Sequence, residues 1–212
     1  MEVATPLVIG FVGSFFLLAT LTLTSFVKIS VVLMIVRNAL GLQQVPSNMI
    51  VMALAFFLAV FVSMPVLSAS VDAVADFGIE LTTVEELAEL WNRAIAPFQT
   101  FLEANIRPDH LDFFVGVTNE IWAGSGLVGS PDNIIVQIPS FMITELTEAF
   151  ETGFLLYLPF VAVDLAVTGI LMALGMQMVQ PNILSTPLKL LLFVAVDGWS
   201  KLVEGLIVSY TV

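Results

Sequence analysis

LMALGMQMVQP (residues 171–181) ends one long apolar run and opens another. Turns ordinarily take Gly, Asn, Asp or Ser, because those residues accept positive φ or bond their own backbone. This one carries Met176 and Met178 with only Gln177 between them, and Met172 lies one helical turn earlier. Two apolar runs around so short a connection read as an antiparallel helical hairpin. The thioethers either fill a packing gap or touch something around which they must re-pack.

Composition sets the solvent in which the rest is read. Mean hydropathy is +1.03, and 58% of residues are apolar against 11% charged, less than half the charge of an ordinary soluble domain. This is the composition of a membrane protein. The absence of cysteine excludes disulfides and thiol catalysis. A single histidine argues against a zinc site or a Ser-His-Asp triad, and a net charge of -12 argues against nucleic acid. There is no Gly-rich phosphate loop, fixed-period repeat or paired-carboxylate site.

Four apolar segments emerge. Residues 3–27 carry no charge and suffice for one span. The opening MEVATP lacks a basic leader, so this run reads as a retained helix. VRNALGLQQVPSN (36–48) is a polar break, and residues 49–67 form a second charge-free run. Residues 68–152 then hold fourteen acidic groups against Arg93 and Arg107. Within them Thr83 and Glu86 have capping-box spacing, and Leu87, Leu90, Trp91, Ile95 and Phe98 recur at helical intervals. WAGSGLVGSPDN (122–133) reads as a loop, with a helix expected to start after Pro139. The third span covers about 153–174 and the fourth about 183–208. The reading is an all-α membrane protein of two hairpins, 1–67 and 139–212, with an acidic, partly helical extramembrane segment, 68–138, between them. Lys28, Arg37 and Lys189 place the short loops in the cytoplasm and the acidic segment outside.

Asp164 and Lys189 are ionisable groups inside apolar runs, an arrangement that costs about 3 kcal/mol on insertion scales. They flank the methionine turn on successive antiparallel segments and could pair within or between subunits. Fixing the assembly is the structural reading, and a proton relay the functional one. Asp197, before Gly198 and Trp199, suits an interfacial place. Glu145 and Glu148 read as a solvated helix face, His110 as a surface histidine, and Lys28 and Arg37 as anchors at the membrane surface. The break at Arg37 could also touch a neighbouring subunit.

Three blocks carry a resemblance. LTSFVKISVVLMIVRNALGLQQVPSNMI, PSFMITELTEAFETGFLLYLPFVAVDLAV and STPLKLLLFVAVDGW together resemble the FliP/SctR family of type III secretion and flagellar export gates. They cover about half the chain, in order. The resemblance implies a pore-forming core subunit that passes unfolded protein substrates across the bacterial inner membrane. It implies a homo-oligomer, expected as a pentamer, with SctT-like and SctS-like subunits and contacts to SctU-like and SctV-like components. Helical hairpins in that family are tilted and raised above the membrane plane, so apolar runs here can face other subunits instead of lipid. The missing leader favours the injectisome branch.

By the same resemblance, Met172, Met176, Gln177 and Met178 fall in the loop that forms a gasket at the pore constriction, although Gln177 interrupts the expected run of methionines. Glu145 is raised as a contact residue. No enzyme activity, cofactor or metal is implied. A small-solute or proton-coupled transporter using Asp164 is the alternative, but such proteins often show internal repeats and none is visible.

Overall fold

The computed structural model describes residues 22–42, 45–75 and 84–211. Among these there are seven helices and no strand: α1 (Phe26–Ala39), α2 (Asn48–Ala75), α3 (Val84–Asn105), α4 (Pro108–Ile121), α5 (Ile134–Ala173), α6 (Pro181–Ala195) and α7 (Gly198–Val208). Most of the expected first span and Thr83 of the expected capping box lie outside the described residues. Of the described helices, α2 and α5 are long and apolar enough to cross a bilayer.

The helices end where local chemistry dictates. The last turns of α1 and α5 share the tripeptide Ala-Leu-Gly, at 39–41 and 173–175. In each the glycine adopts positive φ, +78° at Gly41 and +71° at Gly175. The next residue's N–H then reaches back to a carbonyl five positions earlier, Leu42 to Arg37 at 3.3 Å and Met176 to Leu171 at 2.9 Å. These are Schellman closures, which satisfy the orphan carbonyls of the last turn.

Two expectations about helix boundaries are corrected. First, α5 begins at Ile134, ahead of Pro139. Asn133 caps it, its Oδ1 accepting the Ile135 N–H at 2.9 Å. Pro139, the sixth residue of α5, lacks the N–H that would bond the Ile135 carbonyl, and the helix continues through this lost bond. The Ser140 hydroxyl donates to the Val136 carbonyl in the same region. Second, the fourth apolar segment is two helices. Asp197 sits in the left-handed region at φ 53°, between α6 and α7. At 15 residues and about 1.5 Å rise per residue, α6 is too short for a bilayer core of about 30 Å. The Phe193 and Trp199 rings meet edge-on at 5.2 Å across this bend. A Cβ on Gly198 would lie 2.3 Å from the Phe193 ring, so the bend admits only glycine there.

The described chain forms two compact units. One comprises Lys28–Leu58 and Leu146–Ser209. Its core collects Ile29, Val32, Leu33 and Val36 from α1, Ala55 from α2, Ala149 and Phe160 from α5, and Phe193, Leu202 and Leu206 from α6 and α7. Gly153 of α5 comes so close to Ile35 of α1 that a Cβ would fall 2.5 Å from its Cδ1. The other unit takes Ala59–Glu145, the described residues up to Val27 and the chain end from Tyr210. Phe101, Phe141 and Tyr210 form its aromatic centre, with ring centroids 5.8 and 6.1 Å apart. Here the expected extramembrane helix is α3, with the further helix α4 behind it. His110 of α4 is half-buried instead of superficial. Its Nδ1 lies 2.9 Å from Thr144 Oγ1. The Thr144 proton is used on the Ser140 carbonyl, which leaves His110 Nδ1 as the donor.

Candidate functional site: the methionine turn and the buried ion pairs

The turn between α5 and α6 is short because both ends are pre-set. Gly175 closes α5, and Pro181 occupies the first position of α6, where its missing N–H costs nothing. The side chains between them point away from the chain's own core. Met172 is 62% exposed, Met176 45% and Met178 99%, and Gln177 is exposed as well. These methionines fill no gap among the described residues.

Below the turn, α5 and α6 bring Asp164 and Lys189 together. Lys189 Nζ donates to Asp164 Oδ2 at 2.5 Å, within one chain. The Lys189 side chain is 6% exposed and that of Asp164 33%. The lysine is therefore enclosed, while the carboxylate opens into a polar cleft of about 380 Å³ lined by Asn38, Tyr157, Asn182 and Thr186. Gly41 closes one wall, where a Cβ would stand 2.8 Å from Thr186 Oγ1. An ammonium inside so apolar a segment is stable only with such a partner.

Several polar residues lie elsewhere than their sequence context suggests. Lys28 and Arg37 are buried within the chain. Lys28 Nζ pairs with Glu148 Oε2 at 2.8 Å. Arg37 donates to the Pro46 carbonyl at 3.3 Å and to Asn48 Oδ1, tying the end of α1 to the start of α2. Glu145 is not on a solvated face either. It is 1% exposed, and its Oε2 accepts the Tyr210 hydroxyl at 2.5 Å. Tyr210 lies 65 residues away in sequence, so helical periodicity around Glu145 could not reveal it. Glu148 faces Lys28 instead of water alone. Asp197 forms the bend between α6 and α7, its Oδ1 accepting the Ser200 hydroxyl at 2.9 Å. Among the described residues no group of three or more His, Cys, Asp or Glu could hold a metal ion.

Described residues that are all-helical, with two helices of bilayer-crossing length, an enclosed lysine paired inside an apolar segment and an exposed methionine turn, fit the membrane class. Within that class the chain belongs to the FliP family, whose model matches residues 10–206. It is 45% identical over 195 residues to the probable translocation protein y4yL of Sinorhizobium fredii, covering 92% of this chain and 88% of that one. It is 43% identical to the Yop proteins translocation protein R of Yersinia pestis, over 88% and 87% of the two chains. With the harpin secretion protein HrcR of Erwinia amylovora it shares 40% identity over 94% of each.

Proposed function

We propose that this chain is a pore-lining subunit of a type III protein export gate in a bacterial inner membrane, and that it acts as one of several copies alongside other membrane subunits. Membership of the FliP family and relatives named for translocation and harpin secretion support this reading. The observation that carries the pore itself is the turn of Met176, Gln177 and Met178, held rigidly at both ends yet exposed. A lone chain would leave these apolar side chains in water at a cost. A ring of copies would gather them into a seal. Thioethers suit that task because they are unbranched and polarizable, so they close on one another and re-pack around varied passengers. Large apolar side chains on α2 and α5, among them Phe57, Phe61, Phe154 and Leu165, are also exposed in the single chain. Surface of this extent calls for lipid or neighbouring subunits.

In this reading the Asp164–Lys189 pair fixes α5 against α6 and so holds the turn at the constriction. The injectisome branch is favoured because the relatives include virulence and harpin secretion proteins. The test is conductance. Met176→Gly with Met178→Gly in the assembled complex should let ions or small solutes leak across the membrane while secretion continues. Conductance equal to wild type, in an assembly of normal mass, would remove the gasket.

A further inference from the structure

Two clefts of the unit built from Lys28–Leu58 and Leu146–Ser209 adjoin one another, sharing Leu156, Lys201 and Leu202 in their walls. The first, of about 320 Å³, is almost wholly apolar, walled by Phe160, Leu192, Phe193 and Val196. The second, of about 220 Å³, is amphipathic, lined by Lys28, Glu148, Thr152 and Ser209. Lys201 stands where they meet.

This lysine differs from the other basic residues of the chain. Lys28 and Lys189 are paired with Glu148 and Asp164, Arg93 with Glu89 and Arg107 with Asp109, and Arg37 is bound to the Pro46 carbonyl and Asn48. Lys201 makes no ion pair or side-chain hydrogen bond among the described residues, and it is exposed. Its neighbour Asp197 spends its side chain on Ser200. The charged groups lining the two clefts are Lys28, Lys201 and Glu148, one positive charge in excess in a chain of net charge -12.

We infer that these joined clefts bind an anionic glycerophospholipid, with an acyl chain in the apolar cleft and the phosphate on Lys201. The chemistry of the site matches that molecule in two places at once. The apolar wall offers a tail the same solvent as a bilayer. A basic pocket between membrane helices attracts an anionic headgroup, and the lysine's own methylene stem lies along the apolar wall while its ammonium meets the phosphate. Thr152 supplies a hydroxyl donor in the second cleft, while the Ser209 hydroxyl is spent on the Leu206 carbonyl. A zwitterionic lipid satisfies the tail site and gains less from Lys201. This inference does not depend on the pore reading.

Native mass spectrometry of the full chain, extracted in detergent and titrated with phosphatidylglycerol or phosphatidylcholine, tests it. Phosphatidylglycerol should be retained better than phosphatidylcholine. Lys201→Ala should cut that retention about fivefold, to the phosphatidylcholine level, and Lys201→Arg should restore it. Leu156→Trp, which fills the shared wall, should weaken both lipids alike. Equal retention of the two lipids by the wild-type chain would overturn the inference, as would phosphatidylglycerol retention unchanged in Lys201→Ala. A lower oligomer mass in Lys201→Ala with lipid retention intact would assign the clefts to a protein neighbour and equally refute it.

Discussion

Removing one member of the Asp164–Lys189 pair should hurt in proportion to how enclosed the other is left. Breaking a buried pair by deleting one partner costs about 3–5 kcal/mol, because an uncompensated charge remains. The structure makes the two deletions unequal. Asp164→Ala strands the Lys189 ammonium, whose side chain is only 6% exposed, so the full range of about 3–5 kcal/mol applies. Lys189→Ala strands a carboxylate whose side chain is 33% exposed at the edge of a polar cleft, although its Oδ1 is buried. Its cost should fall to about 1–2 kcal/mol. The double change to Ala leaves no charge and should be milder than Asp164→Ala. For a chain of this size 1 kcal/mol moves the melting midpoint by about 2–4 °C, so Asp164→Ala should lower it by roughly 6 °C or more. The assay is thermal stability of the detergent-extracted oligomer by fluorescence-detected size exclusion, for both single variants and the double. Defects that simply add in the double variant would refute the pairing. Lys189→Ala falling further than Asp164→Ala would refute the argument from enclosure.

Other substitutions probe separate parts of the argument. Tyr210→Phe removes the hydroxyl donor from buried Glu145 and should cost about 1–3 kcal/mol in the same melting assay, the range for leaving a buried acceptor unsatisfied; Glu145→Gln, which still accepts that bond, should cost less. Gly175→Ala meets nothing within 4 Å and pays only for its positive φ, about 1–2 kcal/mol. Gly41→Ala pays the same backbone cost plus a contact at 2.8 Å with Thr186, so its midpoint should fall further, and Thr186→Ala should recover the difference. Asn133→Ala removes the cap of α5 and should cost about 1 kcal/mol, whereas Asn133→Asp should leave the midpoint unchanged.

What could be read from the chain alone was whatever depends on neighbours a few residues apart. The charge-free run at 49–67 lies inside α2 and the apolar run at 153–174 in α5 but for its last residue, because twenty apolar residues cannot stay in water and a helix satisfies its own backbone. The leucines and aromatics of 87–98 recur at the helical period and lie in α3. Family membership was also legible, since the three blocks carry specific residues in a specific order. Local signals existed that the reading passed over: Asn133 as the cap of α5, and the repeated Ala-Leu-Gly that ends α1 and α5.

The placement of charge was a different matter. Lys28 meets Glu148 across 120 residues of sequence, and Glu145 meets Tyr210 across 65. A carboxylate on an amphipathic turn looks solvated until the distant group that will bury it is known, so the burial of Glu145 is invisible in its own neighbourhood. Asp197 lies within the apolar run 183–208, which reads as one span with this residue at an interface. Only the packing of Phe193 against Gly198 and Trp199 turns that residue into a bend. Periodicity and composition act through the local chain and its solvent. The Asp164–Lys189 pair was legible, because both charges interrupt apolar runs on either side of one short turn; the Lys28–Glu148 pair, the bend at Asp197 and the clefts beside Lys201 are set by which surfaces meet after collapse, and no local pattern encodes that.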